Sequence, residues 1–126
     1  MKTPISLFVA STALLLAGPS AQADVTDIQW DASGRFDTQA SVAAGKFAEI
    51  CGKLAKGQSV GWIFKAEAPM NFNIHYHLGK KVEFPAKVDG ALAAEGKLAV
   101  TVDQDFCWMW SNKTDRPAAL SLTLQK

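Results

Sequence analysis

Reactive chemistry is scarce in this chain. Its 126 residues include two histidines, two cysteines and one tyrosine. It has no Gly-x-Ser-x-Gly segment, no phosphate-cradling glycine loop and no nucleotide-binding motif, which removes the common signatures of hydrolases and nucleotide enzymes. Neither sign of charge dominates. Thirteen basic residues face twelve acidic ones, so there is no basic patch for nucleic acid and no acidic tail. Glu67 and Glu83 are isolated carboxylates without a visible acid–base partner. A nucleophilic Cys107 with His75 or His77 is conceivable, but an exported, oxidised cysteine is a poor nucleophile. No enzymatic activity is expected. Beyond the first two dozen residues no segment is apolar enough to cross a membrane, and the 3.6-residue period of an amphipathic helix is hard to find.

The beginning of the chain has a targeting pattern. Lys2 is followed by an uncharged, mostly apolar run from Ile5 to Ala17, too short for a spanning helix, and then by Ala21-Gln22-Ala23. These are the three parts of a cleavable signal peptide over residues 1–23, with a mature chain beginning at Asp24. No cysteine near the cleavage site suggests a lipid anchor. Losing Lys2 leaves twelve basic against twelve acidic residues, a formal charge of zero. The short targeting regions point to a bacterial periplasm. In that oxidising compartment Cys51 and Cys107 are expected to form a disulfide. Closing so long a loop stabilises the fold by about 4 kcal/mol in the chain-entropy model.

The mature chain alternates with a period of two. Val60, Trp62 and Phe64 share one parity, as do Phe72, Ile74 and Tyr76, then Leu98, Val100 and Val102, then Phe106, Trp108 and Trp110, then Leu120, Leu122 and Leu124. Weaker strands are expected over 36–43 and 47–51. Turn chemistry separates the runs: Lys56-Gly57-Gln58, Glu67-Ala68-Pro69, Leu78-Gly79-Lys80-Lys81, Asp89-Gly90 as a hairpin signal, Glu95-Gly96, and a polar loop over 112–117. Asn112-Lys113-Thr114 matches a glycosylation acceptor, but reads as part of that turn. The pattern predicts an all-β protein, an antiparallel β-sandwich of GOLD-like or jelly-roll-like type over residues 34–126. It is preceded by an arm over 24–33 that Ile28 and Trp30 could pin to the body.

From Gly57 to Leu124 the layout resembles a GOLD domain. Gly61-Trp62-Ile63-Phe64 is followed by a proline-bearing turn, by Phe72-Asn73-Ile74, by an aromatic strand ending in Trp110-Ser111-Asn112, and by a closing strand of alternating leucines. The resemblance implies a non-enzymatic sandwich that serves protein or lipid contacts. Similar histidine and Cys-Trp-Met-Trp segments also occur in small exported bacterial proteins of unassigned role, which implies no activity.

Two short segments concentrate what chemistry there is, Phe72 to His77 and Cys107 to Trp110. Residues two apart in a strand point the same way. Phe72, Ile74 and Tyr76 therefore oppose Asn73, His75 and His77, while Phe106, Trp108 and Trp110 oppose Cys107, Met109 and Ser111. The aromatic faces belong in the core. If the two strands are neighbours, His75, His77, Met109 and Cys107 come together. Two readings follow. In the first, Asn73, His75 and His77 belong to the contact surface of a non-enzymatic binding or adaptor module of the cell envelope, with a protein or small-ligand partner. The histidines then sit on a solvated face, bonded to Asn73, Glu83 or main chain. In the second, His75, His77 and Met109 ligate copper or zinc. Either way the chain is expected to be a monomer or weakly associating, with no nucleic-acid partner. Imidazoles there could also sense pH.

Overall fold

The computed structural model describes residues 24–126; the segment over 1–23 expected to be a signal peptide lies outside the described residues. Seven strands follow in order: β1 (Asp24–Asp27), β2 (Arg35–Val42), β3 (Phe47–Leu54), β4 (Ser59–Leu78), β5 (Lys81–Ala99), β6 (Gln104–Ser111) and β7 (Ala118–Gln125). Among the described residues there is no helix, and none long and apolar enough to cross a membrane.

One long hairpin organises the molecule. β4 and β5 pair from Ser59↔Ala99 to Leu78↔Lys81. On its other edge β4 pairs first with β7, from Gly61↔Gln125 to Ala66↔Leu120, and then with β6, from Asn71↔Ser111 to His75↔Cys107. The strand changes partners across Glu67-Ala68-Pro69, where the β4–β5 register also shifts. The sheet thereby curls into a half-barrel with two layers. One layer runs β1-β3-β6 into the second half of β4; the other runs β2-β7 into the first half. The expected break at Pro69 is thus a bend within one continuous strand, as suits a residue with no N–H to give to a ladder.

Asp89-Gly90 is likewise not a hairpin turn. It lies inside β5, where Gly90 has a φ of 67° and donates its N–H to Asn71 Oδ1 at 3.0 Å, so this turn-like dipeptide makes an irregularity in a long strand. The hairpin closes instead at Gly79-Lys80. Gly79 has a φ of 63°, while among the described residues no non-glycine residue has a positive φ; glycine at the first central position is the type II′ pattern. The run Leu98 to Val102 is strand only as far as Ala99.

The two layers bury the parity the sequence marks. Phe64, Phe72, Ile74, Phe106, Trp108, Trp110, Leu122 and Leu124 are all buried. Phe72 sits at the centre, with ring centroids 4.7 Å from Phe64, 5.0 Å from Trp62 and 5.5 Å from Trp110. Each such ring contributes roughly 2 kcal/mol or more by burial and aromatic contact. The indole N–H groups of Trp108 and Trp110 have no hydrogen-bond partner, so their packing must outweigh a desolvation cost of about 1–3 kcal/mol each.

Two polar devices hold the edges. Asn112 is completely buried. Its Nδ2 donates to the carbonyls of Val42 and Arg116, and its Oδ1 accepts from Thr114 N and Oγ1. It is the hub of the polar loop over 112–117. The arm over 24–33 is partly a strand: β1 pairs in parallel with β3. Ile28 N–H donates to Cys51 O at 2.9 Å, and the Ile28 side chain crosses Gly52, where a Cβ would meet Ile28 Cδ1 at 2.9 Å. Ile28 and Trp30 are both partly buried against the core.

Candidate binding face

Strand register puts the chemistry-bearing residues on the outer face of the β1-β3-β6-β4 layer. Glu49 on β3 stands opposite Met109 on β6, which stands opposite Asn73 on β4, which stands opposite Lys87 on β5. In the next row Cys51 stands opposite Cys107, and Cys107 opposite His75. The two segments singled out in the sequence are therefore neighbours.

The cysteines are bridged, with Cα atoms 4.1 Å apart. Because the Cys51 carbonyl is turned toward Ile28, the residue that follows β1, its main chain faces away from β6. The pair thus occupies a non-hydrogen-bonded position, where antiparallel strands approach most closely. The bridge links two neighbouring strands of one layer and does not join the layers.

His75 is not on a solvated face. It is only 5% exposed, between the disulfide row and two polar partners. Its Nδ1 lies 2.8 Å from Asn73 Oδ1, and its Nε2 lies 3.4 Å from Glu49 Oε1. Glu83 is not the partner: it is opposite Tyr76, on the other parity of the strand. Burial pushes the His75 pKa below the ordinary imidazole value, the Glu49 carboxylate opposes that shift, and His77 adds to it. His77 itself is exposed, with its ring edge-on to His75 at 5.4 Å. Phe84 on β5 lies 6.0 Å from the His75 ring. It is a large exposed apolar side chain, as are Val82 beside it and Phe47 on β3.

This arrangement bears on metal chemistry. Both His75 nitrogens already face oxygen atoms, so an ion would have to displace or recruit Glu49. The tight group of metal-type side chains found among the described residues is Glu49, Cys51 and Cys107, and both of its sulfurs are consumed by the bridge. Neither His75 nor His77 belongs to it. Surface depressions lie beside Lys65 and Glu67, around Trp62 and Gly96, and next to Ile28 and Gly52; neither histidine lines them. Glu49 is the member of this site that sequence reasoning missed. It lies far from His75 in the chain, and only the β3–β6–β4 register brings them together.

No protein-family model matches the chain, and no curated protein matches it in sequence. Solved structures do resemble it. The periplasmic inhibitor of g-type lysozyme, PliG, from Aeromonas hydrophila superposes with a TM-score of 0.61 at 13% identity, over 82% of this chain and 96% of that one. The pre-peptidase C-terminal domain of a Bacillus anthracis collagenase gives 0.63 at 9% identity, over 82% and 97%. The Yersinia pseudotuberculosis-derived mitogen gives 0.57 at 12% identity, over 72% and 84%. At such identities the likeness defines the fold alone, a small all-β sandwich. The all-β class implied by the GOLD resemblance holds, while the GOLD assignment itself gains no support.

Proposed function

We propose that this chain is an exported, periplasmic, non-enzymatic module that binds a protein of the cell envelope through the outer face around His75. The observation that carries this reading is a composite patch. Val82 and Phe84 are exposed beside a buried imidazole that faces Asn73 and Glu49. Exposed apolar side chains around a rigid, desolvated polar centre are the layout of a protein contact surface. The disulfide suits an oxidising compartment. The structural neighbours include periplasmic inhibitors that bind a protein, g-type lysozyme, which makes a protein partner the first class to test.

A photo-crosslinking residue at Phe84, expressed with the full chain in a bacterial envelope, should trap one discrete adduct. The same residue at Lys113, in the loop after β6, should trap none. Purified g-type lysozyme is the first defined probe, by binding and by inhibition of lysis. Absence of any adduct from Phe84, or equal adducts from both positions, would sink the reading.

A further inference from the structure

Among the described residues three strands offer an unpaired edge. β1 has four residues. β2 ends where its Val42 carbonyl is capped by Asn112, and it begins with an Arg35–Asp37 ion pair. β5 is far longer. Its first half is guarded, because Pro85 has no N–H and the ladder is irregular between Ile74 and Tyr76 and again near Met70. From Ala93 to Ala99 there is no proline and no bulge, and the register with β4 is regular.

The hydrogen-bond phase of this stretch is fixed at its end. Val100 N–H donates to Gln58 O at 2.9 Å, so Val100 directs its main chain at β4. Alternation then turns the N–H and C=O groups of Ala99, Lys97, Glu95 and Ala93 toward the open edge. Their side chains share the outer face with Ile63, which is exposed. Neither Glu95 nor Lys97 has an ion-pair partner among the described residues. The stretch between them is narrow. Gly96 has the Trp62 ring against it, so that a Cβ there would meet Trp62 Cζ2 at 2.7 Å.

We infer that a second copy of this chain pairs antiparallel along Ala93–Ala99, with Gly96 on the two-fold axis. Charge selects that register. Edge-directed residues must pair with edge-directed residues, which leaves few symmetric alignments. Centring on Glu95 sets two carboxylates directly opposite each other, and centring on Lys97 sets two ammonium groups opposite each other. Centring on Gly96 sets Glu95 of each copy opposite Lys97 of the other, and Ala93 opposite Ala99. Opposite charges directly across a ladder stabilise it, and like charges destabilise it. The interface is isologous and small, so the dimer is weak and concentration-dependent. It lies on the opposite layer from the His75 patch, so it neither requires nor blocks that site.

The test is sedimentation of the mature protein from micromolar to millimolar concentration at low salt. The wild type should pass from monomer to dimer. Glu95→Lys alone and Lys97→Glu alone should each weaken the dimer about tenfold or more. An equimolar mixture of these two variants should dimerise again, because each then faces the opposite charge; this also shows that both fold. The double reversal Glu95→Lys/Lys97→Glu should behave like the wild type. A wild type that stays monomeric throughout, single variants that dimerise undiminished, or a mixture that fails to recover would each overturn the proposal.

Discussion

β4 and β5 are the two arms of one hairpin, paired along nearly their whole length, but they have opposite characters. β4 has neighbours on both edges and buries Val60, Phe64, Met70, Phe72 and Ile74 completely or nearly so. β5 has a neighbour on one edge, and of its residues only Ala91 and Leu98 are buried. Val82, Phe84, Val88 and Leu92 remain exposed. Shared backbone pairing therefore does not give shared stability. β4 is held by its side chains, whereas β5 is held mainly by its ladder to β4, which leaves its side chains free for other partners.

The sharpest way to break this comparison is a matched pair of truncations. Phe72→Ala should cost about 3–5 kcal/mol of unfolding free energy in urea, the range for a fully buried aromatic. Phe84→Ala should stay within about 0.5 kcal/mol, as for a surface change, yet abolish partner capture. If Phe84→Ala proves as costly as Phe72→Ala, β5 is part of the core and the contrast fails. Next in size is the row beside β4. Replacing both Cys51 and Cys107 by alanine should cost about 4 kcal/mol, read as a lower urea midpoint with the strand signal in circular dichroism retained.

A smaller effect marks one place where β5 touches a core ring. Gly96→Val should cost about 1–3 kcal/mol, because its Cβ enters the Trp62 ring and forces repacking, with a shift in tryptophan emission as the local signature. The smallest effect is a pH dependence. His75 has its folded pKa below the unfolded value, so the unfolded state takes up the proton first. Its contribution to stability is complete above about pH 6.5, the ordinary imidazole value, and declines as pH falls toward the depressed folded value. Unfolding midpoints measured between pH 7 and 5 should fall more steeply for the wild type than for His75→Gln.

What was legible in the sequence follows the same division. β6 and β7 alternate strictly, and β4 alternates as far as Ile74, because one face of each is core, and most of their inward residues were readable from that parity. β5 was not, because a strand that buries little needs no alternation, and Asp89-Gly90 looked like a turn where it is an irregularity. The pairing of Cys51 with Cys107 followed from compartment and count. The adjacency of His75 to Cys107 was stated as a condition and is found. The burial of His75 was not foreseen. A histidine on the outward parity reads as solvated unless one knows that Glu49, two strands away, reaches over to it. Asn112 shows the same limit: its spacing to Thr114 signalled a turn, but nothing local showed that its amide would also hold Val42.

The disulfide also has a mechanical consequence. It closes a loop of sequence separation 56 that contains the whole β4–β5 hairpin. A molecule pulled by its two ends can give up only the segments outside that loop, which hold β1, β2 and β7. The hairpin, with both its bent core arm and its exposed edge, stays shielded from load. Reducing the bridge under tension should release the remainder in one further lengthening, on the order of 200 Å at the reach of an extended chain.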